Sequence, residues 1–236
     1  MRTGAARERR PRGGTGILVV RGLVKRIGGR VVLGGIDARA DPGEVVTLVG
    51  PSGSGKSTLL ACVAGLEPFD EGEVRIGEVS LAGASRARRR EVLERDIGIL
   101  FQNYGLVEEW TVEENLGVVR RLRRRSRLER SEAMVEALER FGLDEGVLDT
   151  RAATLSGGEQ QRVALALLRL QSPRLVLADE PSSALDDDNC ARLLDFFDEH
   201  ARGGGAVLVA THDARIVGPY GTGLRLVADG TLAEVS

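Results

Sequence analysis

Apolar and polar positions alternate along this chain in two rhythms, and the change of rhythm marks out its parts. Short apolar runs at Ile17–Val20 (ILVV), Val31–Leu33 (VVL) and Ile36–Ala40 (IDARA) predict strands separated by glycines. Asp41-Pro42-Gly43 reads as a turn, because proline pre-sets the backbone for a bend. Residues 44–49 (EVVTLV) form a near-continuous apolar run, the pattern of a strand buried on both faces of a parallel sheet. A helix is predicted from Gly55 to Leu66. Further strands are predicted at Glu73–Ile76 and Ile97–Phe101, with the charged helix ASRARRREVLER between them. From about residue 106 to 170 the spacing turns helical. Thr111 and Glu114 fit a capping box, in which hydroxyl and carboxylate each satisfy an orphan backbone N–H. Ser131 is expected to cap the next helix, which places Ala133, Met134, Ala137, Leu138 and Phe141 on one face; that stripe reads as core rather than as a cofactor box. Strand signals return at residues 174–179 (RLVLAD), 206–211 (AVLVAT) and 224–229 (LRLVAD). Strands alternating with helices predict a parallel α/β core, into which the helical block is inserted. No internal repeat is visible, and Gly203–Gly205 reads as a loop.

Composition narrows this picture without changing it. The 236 residues suffice for one sizeable domain or two small ones. Hydrophobic residues at 42% and charged residues at 29% fit a soluble globular protein. A net charge of -2 gives no global pull toward nucleic acid, although the arginines cluster. Cys62 and Cys190 make no disulfide framework, which points to a reducing cytosol. No apolar run approaches the roughly eighteen residues of a membrane span. Residues 1–16 (MRTGAARERRPRGGTG) are basic and lack the apolar stretch of a secretory signal. They are expected to be a disordered tail; contact with anionic lipid is the sharper reading.

The chemistry concentrates after the strand at 44–49. Gly50, Pro51, Ser52, Gly53, Ser54, Gly55, Lys56, Ser57 and Thr58 match G-x-x-x-x-G-K-[ST]. Glycines let backbone N–H groups approach phosphate oxygens, and the following helix adds its positive end. Lys56 would pair with the outer phosphates and the Ser57 hydroxyl with Mg²⁺. The plainer alternative, a glycine-rich turn with a chance lysine, fits poorly with the flanking strand and helix. Asp179 closes a buried apolar strand, so its carboxylate faces the ligand crevice and is placed to hold the metal. Glu180 follows; where the strand ends it could turn toward a water in line with the terminal phosphate, as a general base. Alone, the pair would read equally well as surface acids. Leu155–Arg162 (LSGGEQQR) contains a second capping box, Ser156 with Glu159, whose helix opens on two weakening glycines. Close approach of that backbone to a phosphate would explain them.

LSGGEQQR resembles the signature motif of the ABC-type ATPases, and the order of the other motifs agrees: phosphate loop, Gln102, signature, then the Asp179–Glu180 carboxylates. Residues 183–186 (SALD) resemble the D-loop, and His212 in ATHD the switch histidine. The likeness runs from residue 17 to about 234. It implies a P-loop NTPase of α/β class: a RecA-like parallel sheet core, an antiparallel β N-terminal subdomain, and a helical subdomain of about residues 104–170, all within one nucleotide-binding domain of residues 17–236. The resemblance further implies two such domains, homodimeric or heterodimeric, closing head to tail over two ATP molecules. Ser156, Gly157 and Gly158 would then touch the partner's γ-phosphate. Gln102 would sense magnesium and the attacking water, His212 would hold the γ-phosphate, and Asp186 would couple the two sites. The expected partner is a separate membrane permease, with the chain on the cytoplasmic face of the membrane.

Family members usually place an aromatic residue about twenty-three positions before the glycine loop, where it stacks on adenine; here that place holds Ile27. Apolar contact with the base remains and stacking is lost. Leu167 stands where many members carry arginine. The arginine runs at 86–90 and 120–127 read as solvated helix faces, or alternatively as contacts to a partner or to anionic headgroups. No aromatic residues interleave with them, which argues against nucleic acid. The segment 98–116 (GILFQNYGLVEEWTVEENL) resembles the lipoprotein-releasing, macrolide-exporting and bacteriocin-exporting branch, so export or extraction of peptide, lipoprotein or drug-like cargo is expected. Importer subunits for sugars often carry an extra C-terminal domain, for which a chain ending at Ser236 is expected to be too short. Non-transport ABC ATPases, in DNA repair or as switches signalling through a partner, are the other class.

Overall fold

The computed structural model describes residues 16–183, 185–221, 223–227 and 230–233. In chain order its elements are β1 (Leu18–Ile27), β2 (Arg30–Ala40), β3 (Val45–Val49), α1 (Lys56–Val63), β4 (Glu71–Ile76), β5 (Val79–Ser80), α2 (Arg86–Asp96), β6 (Ile97–Leu100), α3 (Val112–Gly117), α4 (Arg127–Glu139), α5 (Gly157–Gln171), β7 (Leu175–Asp179), α6 (Asp187–Arg202), β8 (Ala206–Ala210), α7 (Ala214–Tyr220), β9 (Leu224–Leu226) and β10 (Leu232–Ala233). They form an antiparallel sheet in the order β2-β1-β4-β5 and a core sheet in the order β10-β9-β3-β8-β7-β6. The core sheet is parallel from β9 to β6, as the alternation predicts, with antiparallel β10 at its edge.

Period-two alternation divides the core sheet between two apolar layers. Leu175, Leu177 and Leu208 face α1 and the antiparallel sheet in one cluster. Val176, Ala178, Val207 and Val209 face the other way, into a cluster shared with α4, α5 and α6. The helical block is thus packed onto the second face of the sheet. Its stripe of Ala133, Met134, Ala137, Leu138 and Phe141 is buried there, as expected.

Three expectations need correction. The predicted strands at 31–33 and 36–40 are one strand, β2, because Gly34–Gly35 forms a bulge instead of a break. The register steps from Leu23↔Ile36 to Val24↔Gly34, and Gly35 takes the left-handed conformation that glycine permits. Helix α4 begins a turn before the predicted cap. Ser126 accepts the Glu129 N–H and the Glu129 carboxylate reaches back to the Ser126 N–H at 2.7 Å, a full capping box, which leaves Ser131 inside the helix. The strand at 224–229 narrows to β9; residues 228 and 229 lie outside the described residues. The basic tail, up to residue 15, also lies outside them. Among the described residues no helix is long and apolar enough to cross a membrane.

Candidate functional site

The loop after β3 is shaped by its glycines and by one buried cation. Gly50 has no room for a side chain: a Cβ there would collide with the Leu226 carbonyl oxygen of β9 and sit 2.8 Å from the Ser54 hydroxyl. Gly53 and Gly55 take positive φ, 76° and 100°, and Gly55 is the N-cap of α1 with no side-chain cap. The first-turn N–H groups of α1 are therefore left for a ligand. Ser54 Oγ is buried and lacks a partner among the described residues. Lys56 is buried and curls back to donate to the carbonyls of Gly50 (2.8 Å) and Pro51 (3.2 Å). Ser57 stands exposed at the same helix end, and Pro51, Ser52 and Gly53 are exposed on the loop.

Strand pairing brings the acids to that lysine. β7 and β8 run in parallel with Asp179 opposite Ala210, so Glu180 and residues 211–213 leave the sheet side by side. Glu180 takes φ 46°, a left-handed conformation rare for a non-glycine residue, while its N–H still donates to the Ala210 carbonyl at 2.8 Å. That turn places the Glu180 carboxylate 3.0 Å from His212 Nδ1 and 3.8 Å from Lys56 Nζ. Asp179, half-buried, ends β7.

Behind this triad runs a network that sequence reasoning missed. Asp213 caps α7 and accepts from the Ser182 hydroxyl at 2.7 Å. Arg215 donates to Asp213 (2.7 Å), to the Leu185 carbonyl (3.2 Å) and to Asp187 (2.9 Å). The Arg215 guanidinium, with the Ser182 hydroxyl and the Arg215 N–H, holds the Asp213 carboxyl well below the usual carboxylate range despite partial burial. The arginine thus ties the segment after His212 to residues 182–187. Asp186 itself caps α6, accepting the Asn189 N–H at 2.8 Å. Ala184, in the same segment, lies outside the described residues. Asp213 is a near neighbour, but no local pattern marks the bonds from Arg215 to residues 182–187, because they reach another loop.

The 155–162 segment is built on α5 and stands apart. Ser156 caps the helix: its hydroxyl accepts the Glu159 N–H at 3.3 Å and donates to the Glu159 carboxylate at 2.7 Å, and those bonds hold that carboxyl below its usual range. Gly157 lies beneath the Tyr104 hydroxyl and Gly158 beneath Asn189, where a Cβ would come within 2.7 Å of the amide nitrogen. Asn189 accepts from Arg162 at 3.1 Å. Among the described residues, no hydrogen bond or ion pair joins this segment to the phosphate loop or to Glu180. Gln102 is exposed in the turn after β6, and Ile27 is 56% exposed at the end of β1, so both stand open to solvent.

Comparison with known proteins identifies the family. The profile described as ABC transporter matches residues 33–183. The lipoprotein-releasing system ATP-binding protein LolD 1 of Rhodospirillum rubrum is 42% identical over 184 residues, 77% of this chain and 80% of that protein. The L-cystine import ATP-binding protein TcyC of Bacillus subtilis is 33% identical over 222 residues, 92% of this chain and 89% of that one. Among solved structures, a dimeric post-hydrolysis state of the ATP-binding cassette MJ0796 bound to ADP and Pi matches with a TM-score of 0.81 at 29% identity, covering 92% of this chain and 97% of that one.

Proposed function

The chain belongs to the ABC transporter family as one of its ATPase cassettes, and from that premise we propose that it drives export or extraction through a separate permease at the inner face of a membrane. The observation that carries the mechanism is the split between two half-sites. The phosphate loop, Glu180 and His212 converge, while Ser156, Gly157 and Gly158 are held away from them on α5. A second cassette, presenting its own α5, would complete each site.

Within each half-site the roles divide among these residues. Incoming phosphates draw Lys56 from the Gly50 and Pro51 carbonyls, and the first-turn N–H groups of α1, which begins at Lys56, line the cradle. Glu180 is the general base, with His212 steadying its carboxylate from one side and Lys56 from the other. Ile27 covers the base, Gln102 reports from the turn toward the helical block, and Asp186 faces the partner. Mg²⁺ suits the donors at hand. The Ser57 hydroxyl and Asp179 carboxylate are hard oxygens, and among the described residues no group of three His, Cys, Asp or Glu could cage a metal without phosphates. When bound, it supplies charge neutralisation at the phosphate oxygens.

Export is favoured by the 42% identical lipoprotein-releasing relative; import is the second reading, because the cystine-import relative matches over more of the chain. The experiment is to tag a Glu180→Gln chain, express it in its native host, solubilise the membranes with ATP and Mg²⁺, and identify what co-purifies. A polytopic membrane protein is expected, and its topology separates exporter from importer. A dimer with only soluble partners or DNA would overturn the transport reading.

A further inference from the structure

We propose that an arginine-lined cleft at the edge of the core sheet is a second phosphate-binding site, and that its ligand is the headgroup of an anionic phospholipid. The cleft, about 270 Å³, lies between the last turn of α2 (Glu94, Arg95), a 3₁₀ turn at Arg120–Arg124, and Gln171 at the end of α5. Val119 and Leu122 are 4% and 2% exposed, so they pin the turn to the helical block while Arg120, Arg121 and Arg124 stand out from it. The arginine run is therefore a fixed platform, unlike a loose solvated face.

The charge balance of the cleft calls for an anion. Arg95, Arg120, Arg121 and Arg124 line it, and Glu94 is the one acid among the lining residues. That carboxylate is already taken by Arg90 at 2.6 Å. Among the described residues Arg95 reaches only Asp96, at 3.9 Å, and Arg121 donates to the Ser172 carbonyl at 3.2 Å. Guanidinium groups crowded in this way repel one another until a counter-charge enters, and their planar forks match phosphate oxygens. The chain as a whole carries -2, so this is a local concentration and not general basicity.

Position separates the cleft from the nucleotide site. Gln171 Nε2 donates to the carbonyl of Ile97, the first residue of β6, at 2.7 Å. The phosphate loop leaves the last residue of β3, and β3 and β6 run the same way, so the two sites lie at opposite ends of the sheet. One feature favours a lipid surface over a free ion. Exposed apolar side chains, Val118 (48%) and Leu128 (69%), bracket the arginine turn in the chain, the mixture that seats a protein at a headgroup boundary.

The test is sedimentation with vesicles of phosphatidylglycerol in phosphatidylcholine against phosphatidylcholine alone. It compares the wild-type chain, Arg120→Gln/Arg124→Gln, and the control Arg192→Gln/Arg202→Gln on α6. Wild type and control should bind the anionic vesicles alike, and the cleft variant about thirty-fold more weakly, at roughly five-fold per arginine. Melting temperature and ATPase rate, followed in parallel, should not differ, so failure here is distinguishable from failure of the transport reading. Absence of vesicle binding by the wild type, equal loss in both double variants, or saturable binding of inorganic phosphate in the cleft without vesicle binding would each overturn the proposal.

Discussion

Gly50→Ala tests whether the last parallel strand buttresses the phosphate loop. Gly50 does not take positive φ, so alanine meets no backbone penalty there; the obstacle is space. The added carbon would collide with the Leu226 carbonyl oxygen, lie 3.3 Å from the Leu226 carbonyl carbon, and press on Ser54 Oγ at 2.8 Å. The first two are backbone atoms and cannot swing aside. β9 must therefore shift, and among the described residues its strand pairing to β3 is short, Leu48↔Leu224 and Val49↔Arg225. Overpacking of this kind costs about 1–3 kcal/mol, and a rigid backbone partner points to the upper half of that range. For a chain of this size that is a fall of roughly 4–12 °C in Tm. Nucleotide affinity should fall with it, because the added carbon also presses on Ser54 and so distorts the loop that leads into the N-terminus of α1. Gly117→Ala is the companion: it ends α3, and its Cβ would meet only Met134 Cε at 3.9 Å. That change should be neutral or stabilising by up to about 1 kcal/mol. Differential scanning calorimetry and titration with a fluorescent ATP analogue read both quantities. A Gly50→Ala chain that melts within about 2 °C of wild type and binds ATP unchanged would refute the buttress.

Lys56→Ala should abolish ATP binding in equilibrium dialysis, since no other buried cation faces the loop among the described residues; retained micromolar binding would contradict its role. Ile27→Tyr should tighten ATP roughly two- to tenfold by restoring a stacking face, and equal affinity of the two chains in the same titration would count against Ile27 lying over the base. Arg215→Ala should lower kcat roughly five- to tenfold, as expected for the loss of one or two hydrogen bonds, while ATP affinity in a Glu180→Gln background stays put; Arg215→Lys should not rescue it, because a single ammonium cannot span Asp213, Leu185 and Asp187 together. Burial holds the His200 imidazole below its ordinary value. The unfolded chain then binds the extra proton first as pH falls below about 6.5, so stability declines with acidification. Urea unfolding at pH 7.5 and 5.5 should show a smaller loss in His200→Gln than in wild type.

What the sequence discloses is what short spacing controls. The strand, glycine loop and helix around residues 45–63, the strand end at Asp179 and the boxes at Thr111 and Ser156 each need only neighbours within a few residues, and all form as expected. Glycine is ambiguous at that range: Gly34–Gly35 suits a break or a bulge, and only pairing with β1 decides. The start of α4 was hidden because Ser126 opens on arginines, so the apolar period that signals a helix begins a turn late. The Arg215 bonds and the pressure of Leu226 on Gly50 were illegible for another reason. Apart from the bonds to Asp213, they join residues distant in the chain, and nothing local demands them.

Glu180 shows how these two kinds of information combine. A motif can require an acid after Asp179, but in a regular strand successive side chains alternate faces, and continuing β7 would send this one away from the side that Asp179 faces. The left-handed backbone at φ 46° breaks the alternation. A non-glycine residue in that region costs on the order of 1 kcal/mol or more and persists only where its surroundings fix it. Here the fixing is visible: the Glu180 N–H stays in the ladder with Ala210, and the carboxylate is taken up by His212 and faced by Lys56. Beyond it, Ser182 and Arg215 pin the outgoing chain to Asp213, one residue past that histidine. Strain at one residue is thus sustained by bonds on both sides of it. Asp213 and Arg215 belong to the aiming of the Glu180 carboxylate as much as the strand that delivers it does.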